Sequence, residues 1–311
     1  MAAERPPADA SETMPPMKVA VIDVGSNSVR LLVASVTRTG EIEQLRRERA
    51  YLRLGDDAYA QGRIGDSKLE QAALVSRRFA RSARKRGAER LATIVTAPGR
   101  QAANGDELLA AIAEATEAPV ELLSAEEEGR LAWEGCVAGI RDTVGAVAVI
   151  DLGGGSCEVA VGMPGEGVEW IRSHDAGALR VTRAFLDVAT PTVDEARRAR
   201  DGVRALLADL DSPHAEHAFA VGGTARALGR LLGPRFDADD LDQLASRLVR
   251  DGVERTIAGT SITPQRGETL LGGTLVLAEL ADRLGRPLRV GRGGLREGAA
   301  LALADADALA A

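Results

Sequence analysis

Two segments of the chain share one pattern of hydrophobic and polar positions. Each has an apolar run ending at an aspartate, a turn of small residues and a second apolar run: VAVIDVGSNSVRLLV (19–33) and VAVIDLGGGSCEVAV (147–161). Eight of the fifteen positions are identical, and the copies begin 128 residues apart (147 − 19). This pattern predicts a β-hairpin in each copy. Two chance hairpins would share only their valines, whereas these copies also share the aspartate and turn residues. We therefore expect a duplicated pair of α/β domains.

The rest of the chain alternates between helical and strand patterns. Apolar positions three and four residues apart predict helices, and short apolar runs predict buried strands. The helices are expected at 67–86, 106–117, 192–210, 269–284, 297–310 and after residue 224, and the strands at 91–95, 219–221 and 288–290. The acidic stretch 236–242 has no clear period, so we assign no element to it. Asn104 or Asp106 is the expected cap of the second helix. Together these elements predict an α/β fold with mixed sheets.

Length and composition restrict the class of protein. The 311 residues suit two domains, which we place at 17–135 and 136–311, after a disordered leader at 1–16. The 46 acidic and 39 basic residues give a net charge of −7, and aromatic residues make up 3%, so nucleic acid is not expected as a partner. Two cysteines suit a reducing compartment. No signal peptide and no uncharged stretch of eighteen residues is present, so we expect a cytoplasmic protein without a membrane partner.

Two common nucleotide-binding motifs are excluded by spacing. None of the three lysines follows a glycine, as a Walker A loop requires. The glycines that begin at Gly153 would place the third glycine of a dinucleotide fingerprint at Glu158, where an acid would repel pyrophosphate.

Four other segments carry residues suited to phosphate and metal chemistry. They are DVGSNS (23–28), RQAAN (100–104), EEEGR (126–130) and DLGGGS (151–156) with Glu158. Glycine and serine turns can donate backbone N–H groups to phosphate, and an arginine can bind two oxygens. Carboxylates can hold magnesium or activate water.

The sequence closely resembles the exopolyphosphatase/guanosine pentaphosphate phosphatase (Ppx/GppA) family, from about Val19 to Leu301. The resemblance rests on AVIDVGSNSVRLLV, SAEEEGRL, VIDLGGGSCEVAVG, FAVGGTARAL and GGLREGAAL. It implies duplicated actin-like, ribonuclease-H-like domains with an active site in the cleft between them, in the short form of the family. It also implies Glu128 as the base that activates water, and Mg²⁺ or Mn²⁺ bound by Asp151 and Glu158. The phosphate-binding residues that it implies are Gly25, Ser26, Asn27, Ser28, Arg100, Gly153, Gly154, Gly155 and Ser156.

One departure concerns the arginine segment. The family has a small polar run before the arginine, whereas this chain has Pro98 and Gly99 there. Because proline restricts the preceding residue, we expect Ala97 to be extended and the path of the loop to differ.

The implied activity is release of terminal phosphate from inorganic polyphosphate. Guanosine pentaphosphate (pppGpp) hydrolysis is an alternative within the same class, and a phosphotransferase or a non-catalytic sensor are alternatives outside it. Glu126 to Glu128 could instead be an acidic helix start capped by Ser124. Arg77, Arg81, Arg84 and Lys85 form either a solvated face or a rail for a long polyanion. A homodimer is expected only as the common default.

Overall fold

The computed structural model describes residues 15–140, 143–188 and 190–305. The first of two sheets has the strand order β3-β2-β1-β4-β5. Its strands are β1 (Met17–Val24), β2 (Ser28–Val36), β3 (Ile42–Tyr51), β4 (Arg90–Val95) and β5 (Val120–Leu122). β1 pairs with β2 antiparallel and with β4 parallel. The predicted first hairpin and the predicted strand at 91–95 are therefore confirmed.

The second sheet repeats this arrangement. Its strand order, β10-β11-β9-β6-β7-β8, places the second hairpin, β6 and β7, in the positions that β1 and β2 occupy in the first sheet. β6 is antiparallel to β7 and parallel to β9, just as β1 is to β2 and β4. The strands are β6 (Val147–Leu152), β7 (Cys157–Met163), β8 (Gly167–His174), β9 (His217–Val221), β10 (Arg235–Phe236) and β11 (Leu288–Val290). The duplication predicted from the two hairpins is thus present in the strand order of both sheets.

Helices cover the sheets and connect the strands. In the first half they are α1 (Leu54–Gln61), α2 (Asp66–Lys85), α3 (Ala97–Gln101), α4 (Gly105–Thr116) and α5 (Ala125–Val137). In the second half they are α6 (Ala178–Phe185), α7 (Val193–Leu206), α8 (Gly222–Leu232), α9 (Ala238–Asp251), α10 (Val253–Ile257), α11 (Pro264–Gly267), α12 (Leu270–Leu284) and α13 (Leu295–Asp305). In the described residues, no helix is both long enough and apolar enough to cross a membrane.

Two helices are exchanged between the halves. α13 comes from the end of the chain but packs on β1 and β2, where Leu295 and Ala300 share a core with Val19 and Val21. α5 comes from the first half but packs on the second sheet, and its Trp133 donates a hydrogen bond of 2.9 Å to the carbonyl of Val147. The predicted division at 135/136 stays a prediction, but each sheet is covered by a helix from the other half of the chain.

The exchanged helices cross at glycine. A Cβ atom on Gly298 of α13 would fall against the backbone carbonyl of Leu131 in α5, far inside van der Waals contact. A Cβ atom on Gly135 of α5 would meet the backbone of Gly294 and Gly298 in the same way. Backbones can approach this closely only where side chains are absent. The α5–α13 crossing therefore requires glycine on both helices.

The structure assigns one stretch left open by the sequence and differs from the predictions at two other places. The acidic stretch 236–242 forms the end of β10 and the start of α9, where Asp237 and Asp240 make a capping box. Asn104 is at the N-cap position of α4, but its side chain bonds the backbone of Ile64 instead. Ala97 is the first residue of α3 rather than extended, because proline is well tolerated in the first turn of a helix.

Helix ends account for the other differences. The helix predicted at 192–210 ends at Leu206, and the closing helix begins at Leu295 rather than at residue 297. Residues 306–310 of that predicted helix, and 1–14 of the predicted leader, lie outside the described residues. β1 begins at Met17, where the fold was expected to begin.

Candidate functional site

The two hairpin turns meet in the cleft between the sheets. A Cβ atom on Gly154 would lie 3.1 Å from the backbone nitrogen of Asn27, and one on Gly155 would lie 2.5 Å from Ser26 Oγ. Glycine at both positions lets the second turn approach the first. The cleft has an empty volume of about 590 Å³, and the predicted phosphate-loop residues that line it are Gly25, Ser26, Asn27, Ser28, Gly153, Gly154, Gly155 and Ser156.

Two buried carboxylates come from the second hairpin. Asp151 is the penultimate residue of β6 and lies directly opposite Glu158 on β7. Both are almost fully buried, with exposures of 9% and 1%. Ser173 Oγ donates a hydrogen bond of 2.8 Å to Glu158 Oε1, whereas the buried Oε2 of Glu158 has no hydrogen-bond partner among the described residues. Asp23, the equivalent of Asp151 in the first hairpin, also lines the cleft.

The third carboxylate is Glu128 in the first turn of α5. Ser124 and Glu127 form the capping box of this helix, with hydrogen bonds of 3.1 and 2.8 Å. Glu126 is exposed to solvent, whereas Glu128 is 5% exposed and lines the cleft. Because consecutive helical residues point about 100° apart, the cap fixes which glutamate faces the cleft. The capped acidic helix start considered from the sequence is therefore present, and it positions Glu128.

Arg100 contacts Glu128 rather than open solvent. Its Nη2 donates to Glu128 Oε2 at 2.9 Å, and its Nη1 donates to the carbonyl of Leu123 at 2.6 Å. The other polar residues of its segment do not join the cleft: Gln101 bonds Asp175 of the second half, and Asn104 bonds Ile64. The predicted role of Arg100 in phosphate binding stays a prediction.

Burial and mutual repulsion raise the pKa values of the three carboxyl groups. Burial raises the pKa of Glu128 well above its usual value, the nearby Glu158 raises it further, and Arg100 opposes this. Burial, followed by repulsion from Asp151, raises the pKa of Glu158. Burial raises the pKa of Asp151 to about 6, with Arg30 opposing and Asp23 contributing. The site therefore concentrates negative charge that a cation would neutralise.

A hard divalent cation fits the chemistry of these donors. Mg²⁺ prefers oxygen ligands and is commonly held by one or two carboxylates together with waters and substrate phosphates. Asp151 and the unpartnered Oε2 of Glu158 supply such oxygens. Within the described ranges, no three acidic, histidine or cysteine side chains are grouped closely enough to hold a metal by themselves. The protein would therefore need substrate or water to complete the coordination.

The charge on Asp151 leads to a prediction about pH and stability. Because its pKa is about 6 in the folded protein and 3.8 ordinarily, ionising it destabilises the folded state by about 3 kcal/mol. This cost is absent below pH 3.8 and fully present above pH 6. Without metal at pH 8, Asp151→Asn should therefore be more stable than the unmodified protein towards urea, and the gap should narrow as the pH falls to about 4.5.

Exposed Asp211 provides the control. Asp211→Asn should not change stability at either pH, because this side chain is open to water. Added Mg²⁺ should stabilise the unmodified protein more than Asp151→Asn, since a ligand stabilises the state that binds it. An Asp151→Asn protein less stable than the unmodified protein at pH 8 would contradict a repulsive environment around this carboxyl group.

Sequence reasoning missed the arginines of the cleft. Arg30, Arg226 and Arg296 line it, and Arg266 lies beside it with its guanidinium carbon 2.7 Å from where a Cβ atom on Gly223 would be. Burial, followed by repulsion from other arginines, lowers the pKa of Arg226 to about 9 and those of Arg266 and Arg296 to about 10. Arg30, Arg226 and Arg296 lie within the motifs that carry the family resemblance, and that position is a signal in the sequence that could have identified them. Nothing in the sequence near Arg266 indicates its place.

Ion pairs also connect the two halves of the chain beside the cleft. Arg183 of α6 binds the carboxylate of Asp56 in α1 through two hydrogen bonds, of 2.8 and 2.9 Å. Arg53, which directly precedes α1, contacts Glu268 of the second half, with 2.5 Å between Nη2 and Oε1. These ion pairs connect α1 and the residue that precedes it to the second half of the chain.

Fold and site together define a duplicated α/β protein whose interdomain cleft combines two glycine turns, buried carboxylates and arginines. The pattern of the Ppx/GppA phosphatase family matches residues 32–306, and the chain belongs to this family.

Individual relatives agree with this assignment. The chain is 28% identical to exopolyphosphatase 2 of Mycobacterium tuberculosis over 316 aligned positions, which cover 92% of this chain and 98% of that protein. It is similar to the Ppx/GppA family member from Aquifex aeolicus, with a TM-score of 0.76 and 24% identity over 93% of this chain and 97% of that one. An exopolyphosphatase from Cytophaga hutchinsonii has a TM-score of 0.82 at 17% identity, over 93% and 98% of the two chains.

Proposed function

We propose that this protein is an exopolyphosphatase, a phosphoanhydride hydrolase that releases terminal orthophosphate from inorganic polyphosphate. The observation that carries the proposal is that Glu128 and Asp151 line one cleft together with two glycine turns and three arginines, and that Glu158 lies directly opposite Asp151 in the hairpin. The arginines suit a substrate of high negative charge, and the carboxylates suit metal binding and proton transfer. The relatives named above as exopolyphosphatases support the same substrate class.

Each group of residues in the cleft would have a separate role in the hydrolysis. Glu128 accepts a proton from the attacking water, because its carboxylate lines the cleft beside the phosphate loops, where burial raises its pKa and so its basicity. Asp151 and Glu158 would hold Mg²⁺ or Mn²⁺, which when bound supplies charge stabilisation to the phosphoryl oxygens. The N–H groups of Gly25 and Gly153 close the turns by bonding Ser28 and Ser156 carbonyls. The amides between them in each turn would then bind phosphate oxygens.

A phosphotransferase would use the cleft differently. It would need a nucleotide-binding surface around Gly222, Gly223 and Thr224 at the start of α8. The guanidinium of Arg266 covers Gly223 and occupies the space that a side chain there would fill. Phosphate release without ADP is the measurement that separates hydrolysis from phosphate transfer to a second substrate. Guanosine pentaphosphate stays as the alternative substrate, because its phosphate chain presents the same groups to the cleft.

Phosphate release measured side by side tests the proposal. The substrates are a short polyphosphate, a long polyphosphate and guanosine pentaphosphate, each with Mg²⁺ or Mn²⁺ and without ADP. We expect phosphate from both polyphosphates, independent of ADP. Release from guanosine pentaphosphate alone would assign the protein to the alternative substrate, and inactivity on all three with either metal would refute the hydrolase proposal.

A further inference from the structure

The start of α6 holds the second glycine turn from behind. The N–H of Ala178 donates a hydrogen bond of 3.0 Å to the carbonyl of Gly153. The N–H groups of Leu179 and Arg180 both donate to the carbonyl of Gly154, also at 3.0 Å. Because the first N–H groups of a helix have no partner within the helix, these bonds satisfy them. The first turn of α6 is therefore occupied by carbonyls of the protein itself.

The third carbonyl of the turn is bound by the side chain of Arg180. Its Nε donates a hydrogen bond of 3.0 Å to the carbonyl of Gly155. The guanidinium carbon lies 4.4 Å from the ring centre of Tyr59 in α1, and Nη2 lies 3.5 Å from Oδ1 of Asp175. A planar guanidinium stacks well on an aromatic ring. The stack and the ion pair therefore fix the guanidinium plane and keep Nε at the carbonyl.

These bonds determine the direction of the N–H groups in the turn. In a planar trans peptide, the N–H points opposite to the carbonyl of the preceding residue. Because residues 153–155 direct their carbonyls at α6, the N–H groups of residues 154–156 point away from it. They bond no backbone carbonyl in the described part of the chain. The turn lines the cleft, whereas none of the described residues of α6 does, so these N–H groups point into the cleft.

The first half of the chain holds the corresponding carbonyl in another way. α1 follows β3 just as α6 follows β8, so each duplicated hairpin is followed by a third strand and a helix. Asn27 stands in the first hairpin where Gly155 stands in the second. Its carbonyl accepts a hydrogen bond of 3.1 Å from the backbone N–H of Arg53. The side chain of Arg180 therefore supplies a donor that the backbone supplies in the first half.

We propose that Arg180 is a positioning residue, which holds the carbonyl of Gly155 so that the N–H of Ser156 points at a phosphate oxygen in the cleft. This proposal rests on the proposed function and names what orients the amides of that site. Arg180 acts through the turn, because it does not line the cleft and its Nε is used by the carbonyl. Without this bond, glycine at position 155 would allow the peptide to rotate and present its carbonyl oxygen to the anion.

Three substitutions of Arg180 separate the hydrogen bond from the positive charge. Arg180→Gln keeps an N–H donor at the position of Nε but carries no charge. Arg180→Lys keeps the charge, but its donors lie one bond further out. Arg180→Met keeps the length of the side chain and has neither. The control is Arg183→Met, one turn further along α6, which removes the ion pair with Asp56 in α1 without touching the turn.

Phosphate release from polyphosphate with Mg²⁺ is measured for all four variants. Arg180→Met and Arg180→Lys should lower kcat/KM by about 10–100-fold, because a misdirected donor loses part of what an oxyanion donor contributes. Arg180→Gln and Arg183→Met should stay within about threefold of the unmodified protein. Activity kept in Arg180→Lys but lost in Arg180→Gln would mean that the charge acts directly. An equal loss in Arg183→Met would assign the effect to the connection between the halves. Either result would overturn the positioning role.

Amide resonances test the orientation without turnover. The unmodified protein and the Arg180 variants are titrated with inorganic phosphate and followed by amide NMR spectra, after their melting temperatures have shown that they are folded. A shift of the Ser156 N–H in the unmodified protein and in Arg180→Gln that is absent in Arg180→Met and Arg180→Lys supports the role. It does so even if polyphosphate is not hydrolysed, a result that would refute the proposed activity alone.

Two outcomes of the titration would refute the positioning role whatever the activity. One is a Ser156 shift that persists unchanged in Arg180→Lys and Arg180→Met. The other is the lack of any Ser156 shift in the unmodified protein. If Arg180→Met does not fold, the comparison of Arg180→Gln with Arg180→Lys decides, because these two differ in whether a donor stands at the position of Nε.

Discussion

Glu128→Gln is expected to lower the rate of phosphate release by about 10²–10⁴-fold, or roughly 3–5.5 kcal/mol of barrier. In phosphoryl transfer to water, the protein mainly positions the reactants, stabilises charge and accepts one proton from the attacking water. Glutamine keeps the size of the side chain but cannot accept that proton. Affinity for polyphosphate should be kept or improve slightly, because one negative charge facing a polyanion is removed. Single-turnover rates and equilibrium binding measure the two effects separately.

Exposed Glu126 is the suitable control for this change. Glu126→Gln alters the same residue type in the same helical turn without touching the cleft or the cap. Glu127→Gln is less suitable, because Glu127 closes the capping box and its loss would weaken the start of α5. If Glu128→Gln slows turnover less than tenfold, or if Glu127→Gln is the crippling change although the fold is intact, the base lies elsewhere.

Gly298→Ala should destabilise the protein by about 3 kcal/mol or more, through overpacking against a backbone that cannot move aside. The added methyl group would collide with the carbonyl of Leu131 at the α5–α13 crossing. For a domain of this size the melting temperature should fall by roughly 6–12 °C. Thermal unfolding followed by circular dichroism measures this shift directly.

Gly139 offers a matched glycine beside the same helix. A Cβ atom there would meet its nearest neighbour, the carbonyl of Cys136, at 3.4 Å, which is an ordinary contact. Gly139→Ala should therefore leave the melting temperature nearly unchanged. A Gly298→Ala protein that melts with the unmodified one would mean that the two helices can separate slightly without loss of packing.

The sequence predicted those features that depend on neighbouring residues. The hairpins follow from apolar runs that flank a small-residue turn, and their repetition predicted the matching strand order of both sheets. The preference for Glu128 over its neighbours came from the family resemblance. The cap at Ser124 supplies the physical reason, since it uses Glu127 and directs Glu128 into the cleft.

Features that depend on distant parts of the chain were not predictable. Arg266 comes from a short helix without any motif, and it meets Tyr51 only because the two halves close on each other. The basic stripe considered from the sequence lies on α2. This helix packs on the sheet face that carries Glu48, to which Ser82 of α2 donates a hydrogen bond. The cleft wall is the opposite face, so the stripe stays a hypothesis without a contact to the cleft. Periodicity cannot tell which face of a sheet a ligand will use.

The exchange of α5 and α13 makes the two halves mutually dependent in folding. A fragment ending before residue 146 would leave β1 and β2 without the helix that covers them, and its α5 would have no second sheet to pack on. A fragment beginning there would carry α13 with its apolar face exposed. Neither fragment should be soluble alone, whereas co-expression of the two should yield a nicked heterodimer with an intact interdomain cleft. In a nascent chain, one face of the first sheet would likewise stay uncovered until synthesis has reached the last helix.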